Sequence, residues 1–225
     1  MNRTALITGA SGGIGKSLAE VFAKERWDLA LVDNMDNQLI KLANHLQSKY
    51  GVTVQVLVKD LTLPDAPIQV FDELRGTQID ALVNYTGQAS SSEFVTRDGQ
   101  EDHDEIQLNV MALTRLTKLF LPSMVEHQSG YILNVASTAS FQPTPLMAVY
   151  SASKAYILSF SVALAQEVES KGVIVTALCP NPNDEMNIDA IAKTGYKSLM
   201  KGKSVVIPGI RNKLMVFSRR FMPRT

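Results

Sequence analysis

The sequence predicts an α/β protein, a single domain built on a doubly wound parallel sheet with helices on both faces. Short apolar runs alternate with longer segments of helical periodicity along the 225 residues, which is the pattern of repeated β–α units. A glycine-rich turn, TGASGGIG, begins at the end of the first apolar run, where a strand would lead into a helix. Hydrophobic residues make up 45% of the chain, enough for one substantial core.

Seven apolar runs are the predicted strands, in chain order TALIT (4–8), DLALVD (28–33), VTVQVLV (52–58), DALVN (80–84), YILNVA (131–136), VIVTALC (173–179) and the weaker SVVI (204–207). The segments between them predict helices over much of 13–26, 36–49, 66–75, 101–127, 150–170 and 188–201. Right-handed crossovers bring the carboxyl ends of such strands to one edge, where ligands bind. No repeat or low-complexity linker divides the chain, so we expect one domain over 1–208 and a basic tail over 209–225.

Composition narrows the class of protein. Lys+Arg and Asp+Glu both number 22, so the overall charge gives no reason to expect a nucleic-acid partner. Cys179 is the only cysteine, which excludes an internal disulfide and favours a reducing compartment. Glycines and serines interrupt the N-terminal apolar run before it could serve as a signal sequence, and we expect no apolar stretch long enough to span a bilayer. A cytoplasmic location is therefore predicted.

Basic residues are concentrated at the C-terminal end. Residues 190–225 hold nine basic and no acidic side chains, which leaves 13 basic and 22 acidic side chains before them. This segment also carries apolar residues at helical spacing with arginines beside them: Leu214, Phe217 and Phe221, with Arg219 and Arg220. The tail could pack on its own domain or across a subunit interface, with contact to an anionic membrane surface as the alternative. We expect a homodimer or homotetramer in which it is buried.

The glycine-rich turn is suited to hold a dinucleotide. After Thr8, the last residue of the first predicted strand, Gly9, Gly13 and Gly15 let the backbone approach a pyrophosphate at the next helix's N-terminus. Asp33 lies 18 residues beyond Gly15 at the end of the second predicted strand, where a carboxylate can bind the adenosine ribose hydroxyls.

Asp33 also bears on the choice of cofactor. A phosphate on the ribose would be repelled by this carboxylate, so the sequence favours NAD(H) over NADP(H). Asn34 follows, and no cation occurs on this loop before Lys41. The alternative is that Asp33 or Asp36 only caps the predicted helix 36–49.

A second group of residues is suited to proton transfer. Tyr150 and Lys154 are four residues apart, so they share one face of a helix, and Ser137 lies 13 positions before Tyr150. A nearby ammonium lowers the pKa of a phenol from about 10 toward neutrality, which allows the tyrosine to exchange a proton with a carbonyl or alcohol oxygen. The Ser137 hydroxyl can hold the same oxygen. A lone Tyr-x-x-x-Lys pair is more often a solvated helix pair, but the glycine turn and Ser137 favour the functional interpretation.

These motifs together resemble the short-chain dehydrogenase/reductase family over about residues 4–186. Its cofactor motif Thr-Gly-x-x-x-Gly-x-Gly is matched from Thr8 to Gly15, and its Asn-Asn-Ala-Gly resembles Asn84-Tyr85-Thr86-Gly87. The family's catalytic positions fall on Asn109, Ser137, Tyr150 and Lys154. The resemblance implies that cofactor contacts come from Gly9, Ser11, Gly13, Ile14, Gly15, Asp33, Asp60, Leu61, Asn84, Tyr150, Lys154, Pro180 and Asn183.

The resemblance implies a Rossmann-like, dinucleotide-binding oxidoreductase domain. In this family the tyrosine is the acid/base, the lysine lowers its pKa and binds the nicotinamide ribose, the serine holds the substrate oxygen, and the asparagine supports a water chain to the lysine. The expected activity is hydride transfer between NAD(P) and a small carbonyl or secondary alcohol. A non-catalytic NAD-binding regulator is the alternative, and a Ser137/Lys154 hydrolase is disfavoured because no nucleophile elbow surrounds the serine.

The departures from the family pattern lie near the nicotinamide and substrate. The family's Pro-Gly followed by Thr is replaced by the run from Pro180 to Met186, in which Asn181 could preserve the turn and Asn183 could replace the threonine hydroxyl. The segment after Met186 is short, so the substrate pocket is expected to be open or completed by another subunit. Tyr85 could stack on the cofactor or, as we favour, pack within the protein.

Three further groups of residues carry weaker signals. The three histidines, His45, His103 and His127, share no ligand spacing, so no zinc site is expected. The acidic run from Glu93 to Glu105 is predicted to be a solvated loop and helix start rather than a metal site. The hydrophobic residues between Ser137 and Tyr150 could line a substrate pocket or belong to the core: Phe141, Leu146 and Met147.

Overall fold

The structure, a computed structural model, describes residues 2–86, 91–181 and 187–219. In these residues seven strands form one parallel sheet: β1 (Thr4–Thr8), β2 (Asp28–Asp33), β3 (Val54–Val58), β4 (Ala81–Asn84), β5 (Gly130–Val135), β6 (Val173–Leu178) and β7 (Val205–Val206). The strand order is β3-β2-β1-β4-β5-β6-β7. Strands β2 and β3 therefore lie on one side of β1, and β4 to β7 lie on the other side. The predicted doubly wound parallel sheet is confirmed.

The described residues contain eight α-helices: α1 (Gly13–Lys24), α2 (Asp36–Tyr50), α3 (Ala66–Glu73), α4 (Gly99–Ile106), α5 (Leu113–Glu126), α6 (Ala148–Val168), α7 (Ile188–Leu199) and α8 (Ile210–Arg219). A π-helical turn, Gln107–Ala112, joins α4 to α5, so the helix predicted over 101–127 has a wider turn in its middle. Asp98 caps α4 by accepting a hydrogen bond from the Gln100 N–H.

The core consists of two layers, one on each face of the sheet. Alternate residues of β1 point to opposite faces, with Ala5 and Ile7 in one cluster and Leu6 in the other. The first cluster takes its helical residues from α1, α2 and α7, and the second takes them from α3, α5 and α6. Both faces of the central strands are therefore buried, and the carboxyl ends of the strands are left as the edge at which side chains can meet a ligand.

One helical stretch corrects the expectation about membrane-spanning length. Within the described residues, the 24-residue stretch Ala148–Lys171 contains an 18-residue window with a mean hydropathy of 1.3, so it passes a test of length and composition for crossing a membrane. This stretch is α6 with its last 3₁₀ turn, and α6 packs against β6. A core helix passes the same test, because a face buried against a sheet is also apolar.

Candidate active site

The glycine turn between β1 and α1 forms a tight backbone cradle. Gly9 and Gly13 have φ angles of +62° and +53°, a region that glycine enters without a steric cost. A Cβ on Gly15 would overlap the carbonyl oxygen of Gly9, so the two ends of the turn touch without side chains. The N-terminus of α1 is thereby presented to the adjacent cleft, where its backbone N–H groups favour an anion.

A cleft of about 340 Å³ opens beside this turn. It is lined by six residues of the predicted cofactor set: Gly9, Ser11, Gly13, Asp33, Asp60 and Leu61. The structure thus brings together residues from the ends of three strands. The lining fits a dinucleotide, because it combines a side-chain-free cradle at a helix N-terminus with a carboxylate at the end of β2.

The Asp33 carboxylate is held in the cleft by hydrogen bonds that it accepts. Ser11 donates to its Oδ2 from the backbone N at 3.0 Å and from Oγ at 2.8 Å, and the Asn34 N–H donates to its Oδ1 at 2.8 Å. The N-cap of α2 is Met35, and no side chain caps that helix. Asp33 therefore orients the glycine turn and does not serve as a helix cap.

Tyr85 packs against the glycine turn and also lines the cleft. A Cβ on Gly9 would come within 2.9 Å of the tyrosine ring, and one on Gly13 would come within 2.7 Å of its hydroxyl. Burial raises the pKa of the Tyr85 phenol, while a hydrogen bond with the backbone of Ile14 acts in the opposite direction. The packing role that we favoured for Tyr85 is observed, and the same position gives the side chain access to a bound ligand.

Asn84 and Pro180 do not line the 340 Å³ cleft. Asn84 is buried, and its amide donates to Asn134 Oδ1 at 2.9 Å, which links β4 to β5. The Pro180 carbonyl accepts a hydrogen bond from the Thr138 N–H at 2.9 Å, which links the end of β6 to the segment after β5. Both residues hold the edge of the sheet together. Asn183, the predicted carboxamide partner, lies outside the described residues.

The four predicted catalytic side chains lie at the same edge of the sheet and are all buried. Ser137 follows β5, and its Oγ accepts a hydrogen bond from the Ala139 N–H at 3.1 Å. Tyr150 and Lys154 lie on α6, and Asn109 lies in the π-helical turn. Such wide turns are frequently found at functional sites.

Lys154 connects these side chains. Its Nζ donates to Asn109 Oδ1 and to the Val135 carbonyl, both at 3.2 Å, and more weakly to Thr86 Oγ1 at 3.4 Å. Thr86 also donates to Asn109 Oδ1. Burial lowers the pKa of Lys154 to about 8, and the charges of Glu105 and Cys179 act in the opposite direction. An ammonium with this pKa can change its protonation state near neutral pH.

The pKa of Tyr150 differs from the sequence-based expectation. Burial raises it, the Ser137 side chain lowers it, and the charges of Glu105 and Tyr85 raise it. Lys154 is not among these influences, although its Nζ lies 5.6 Å from the centre of the tyrosine ring. The pKa of Tyr150 is therefore raised in the protein alone and not lowered as expected, because desolvation of the phenol dominates. In this state Tyr150 holds its proton and can donate it.

A family profile described as short chain dehydrogenase matches residues 3–193.

The chain belongs to the short chain dehydrogenase family.

Curated relatives are about one third identical to this chain over the aligned residues. The very-long-chain 3-oxoacyl-CoA reductase of Rattus norvegicus is 34% identical over 180 residues, which cover 78% of this chain and 58% of the relative. The 17-beta-hydroxysteroid dehydrogenase type 3 of Mus musculus is 34% identical over 183 residues, which cover 80% of this chain and 60% of the relative. The matched region thus covers less than two thirds of the length of each relative.

Solved structures from the same family extend over nearly the whole chain. The bulky-bulky ketone specific alcohol dehydrogenase from Comamonas testosteroni has a TM-score of 0.89 and 31% identity, covering 97% of this chain and 92% of that chain. A short-chain dehydrogenase from Sphingobium yanoikuyae, in complex with NADPH, has a TM-score of 0.88 and 32% identity, covering 97% of this chain and 94% of that chain.

Sequence reasoning did not identify several residues at the site. Lys59 and Thr62 also line the cleft, and Lys59 forms an ion pair with Glu73 at 2.6 Å. Thr86 stands where the short chain dehydrogenase motif has alanine, and its hydroxyl bonds both Lys154 and Asn109. That departure from the motif was the available signal, because a hydroxyl at a partly buried position usually has a hydrogen-bond partner.

Proposed function

We propose that this protein is an NAD(P)-dependent oxidoreductase that transfers a hydride between nicotinamide and a carbonyl or secondary alcohol, with Tyr150 as the acid/base. The observation that carries the proposal is the buried group around Lys154. This lysine lies on the same helix as Tyr150 and donates a 3.2 Å hydrogen bond to Asn109. Relatives described as a 3-oxoacyl-CoA reductase and a ketone-specific alcohol dehydrogenase support carbonyl and alcohol chemistry.

In the proposed mechanism the nicotinamide supplies or accepts the hydride. The chain's own residues handle the substrate oxygen and its proton. In reduction Tyr150 donates the phenolic proton to the carbonyl oxygen, and the Ser137 hydroxyl holds that oxygen in place. Lys154 Nζ donates to Asn109 Oδ1 and lies 5.6 Å from the centre of the tyrosine ring, so its charge can act on the phenolate once the proton has left. In oxidation the same proton moves from the alcohol to the phenolate.

A substrate screen tests this function. Ketones, aldehydes and secondary alcohols are offered with NAD(H) and NADP(H), and turnover is followed by the absorbance of the reduced cofactor. The expected result is turnover of at least one carbonyl or alcohol. Cofactor binding without turnover of any substrate would instead support the non-catalytic regulator, which needs the glycine cradle and Asp33 but no proton donor.

NAD(H) is the cofactor that we propose this chain prefers. The Asp33 carboxylate lines the cleft, and a ribose phosphate there would face a like charge. Lys59 also lines the cleft, but its ammonium lies 2.6 Å from Glu73, which already neutralises it. The NADPH complex of the Sphingobium yanoikuyae relative shows that the family also accommodates the phosphate. Calorimetric titration with both cofactors decides the preference, and tighter binding of NADP(H) would overturn it.

A homodimer or homotetramer that buries α8 is also proposed. Ile210 and Leu214, one turn apart on this helix, are 76% and 64% exposed in a single chain. Residues 190–225 hold nine basic and no acidic residues, while the preceding residues hold 13 basic and 22 acidic ones, a formal charge of 13 − 22 = −9. A second copy therefore offers a complementary surface.

Removal of residues 210–225 tests this assembly. Light scattering should show a smaller particle for the shortened chain than for the full chain, because the apolar contact is lost. An unchanged size would contradict the proposal, and selective sedimentation of the full chain with anionic vesicles would favour the membrane surface instead. We also propose a cytoplasmic location, supported by the buried free thiol of Cys179, and cell fractionation would test it.

A further inference from the structure

Most of the acidic run is exposed as expected, for example at Glu93 and Glu101, but its last residue, Glu105, is buried in a cluster of charges with Arg97. The side chains of Arg97 and Glu105 are 6% and 4% exposed, and Arg97 Nη2 donates to Glu105 Oε2 at 2.8 Å. Arg97 also lies 3.1 Å from Asp102 Oδ1 and 3.4 Å from Glu101 Oε2. Buried charges are costly even when paired, so a cluster at this position requires an explanation.

The Glu105 carboxylate is only partly neutralised by this pairing. Its second oxygen, Oε1, is buried and has no hydrogen-bond partner among the described residues. Arg97 is shared with two other carboxylates, so three acidic groups surround one guanidinium. A net negative charge therefore remains in a part of the protein where the dielectric is low and electrostatic effects extend further.

Glu105 lies next to the proposed proton-transfer group. It precedes Asn109 by four residues, and α4 runs directly into the π-helical turn that carries this asparagine. Asn109 accepts from Lys154 Nζ at 3.2 Å and donates to Ser153 Oγ at 3.1 Å, and α4 packs against α6. The carboxylate is thus within electrostatic range of both proposed reacting residues on α6.

The charge acts in one direction on both of these residues. Glu105 raises the pKa of Lys154 and raises that of Tyr150. The other groups that act on them are Cys179 on Lys154, and Ser137 and Tyr85 on Tyr150. Among these groups Glu105 is the carboxylate, and it opposes the desolvation that would otherwise remove the Lys154 charge at a lower pH.

We propose that Glu105, held by Arg97, is a positioning residue that keeps Lys154 charged and Tyr150 protonated in the working pH range. This inference rests on the proposed oxidoreductase function. The protonated phenol is the form that donates in carbonyl reduction, and the ammonium is the form that stabilises the resulting phenolate. A carboxylate that favours both protonated forms therefore extends reduction to higher pH.

The test is the pH profile of kcat/KM for carbonyl reduction in the Glu105→Gln variant. The alkaline limb should move to lower pH by about one unit, the order of effect expected when one charge that acts through a protein interior is lost. An alkaline limb that stays with the wild type, in a variant that folds and binds cofactor normally, would overturn the proposal. A merely structural role would lower activity at every pH without moving the limb.

Two further variants serve as controls. Glu101→Gln removes another carboxylate paired with Arg97, but this side chain is 61% exposed and its profile should stay in place. Glu105→Asp keeps the charge, so its limb should remain near that of the wild type. Equal movement of the limb in the Asp and Gln variants would show that charge is not the cause and would overturn the proposal.

Folding and function can be separated in the same set of proteins. If Glu105→Gln does not fold, Glu105→Leu replaces the carboxylate with an apolar side chain suited to a buried position, and Arg97 keeps Asp102 and Glu101 as partners. The limb should then move as expected for the Gln variant, and an unmoved limb in the folded Leu variant would overturn the proposal. Absence of turnover in the wild type would contradict the proposed function, whereas an active wild type with an unmoved variant contradicts the role of Glu105 alone.

Discussion

The catalytic group and the cofactor cleft lie at the same edge of the sheet, but the protein holds them differently. Lys154 is 2% exposed and donates hydrogen bonds to groups on other elements, so it belongs to the core as much as to the site. Asp33 lines an open cleft of about 340 Å³ and is held by the glycine turn and its own loop. Substitutions in the buried catalytic group should therefore change both chemistry and stability, whereas substitutions in the open cofactor cleft should mainly change which cofactor binds.

The largest effect is expected for Tyr150→Phe, which removes the proton donor and keeps the ring. Turnover should fall by at least about 10²-fold while cofactor affinity stays nearly unchanged, because the phenol acts on the substrate oxygen. Steady-state kinetics and calorimetric titration measure the two quantities. Tyr156→Phe, on the same helix but bonded to Thr114, is the matched control and should keep wild-type turnover. Equal activity in both variants would contradict the mechanism.

Lys154→Met should change how stability depends on pH. In the wild type the pKa of Lys154 is about 8 when folded and 10.5 when unfolded, so between these values the unfolded chain binds more protons. The wild type should therefore gain up to about 3 kcal/mol relative to the variant as pH rises from about 8 to 10.5. Denaturant unfolding at several pH values measures the difference. A difference that is constant with pH would show that Lys154 keeps its ordinary pKa.

Gly15→Ala should disturb the cradle, because its Cβ would overlap the Gly9 carbonyl oxygen and lie 2.8 Å from the Tyr85 ring. We expect a loss of about 1–3 kcal/mol in the free energy of unfolding, together with weaker cofactor binding. Gly12→Ala is the matched control, since a Cβ there meets nothing within 4 Å and its φ of −154° suits any residue. Thermal unfolding and calorimetry of both variants measure these effects. Equal behaviour of the two would contradict the close contact across the turn.

The difference between local patterns and long-range packing explains which features the sequence could predict. The strands, the glycine turn and the Tyr150/Lys154 pair are local patterns, since periodicity and short spacing determine them. The burial of Glu105 was not predicted, because dense acidic sequence ordinarily indicates a solvated surface and the contact with Arg97 depends on how the preceding loop folds back. The raised pKa of Tyr150 was missed for the same reason, since desolvation depends on packing from the whole domain.

The smallest effect, a change in cofactor preference, is expected for substitutions in the cofactor cleft. Asp33→Asn keeps a side-chain acceptor for Ser11 but removes the negative charge that opposes a ribose phosphate. The ratio of NAD(H) to NADP(H) affinity should fall by about tenfold, and it should fall further in Asp33→Ala/Asn34→Arg, where an arginine can pair with the phosphate.

Calorimetric titration of each variant with both cofactors measures this ratio. Asp36→Ala, in the first turn of α2 and not on the cleft, is the control and should keep the wild-type ratio. If the ratio is unchanged in Asp33→Asn, the carboxylate serves only to hold Ser11 and the glycine turn, and the preference must arise elsewhere. Lys59 would then be the residue to change, since its ammonium lines the same cleft and could meet a phosphate on release from Glu73.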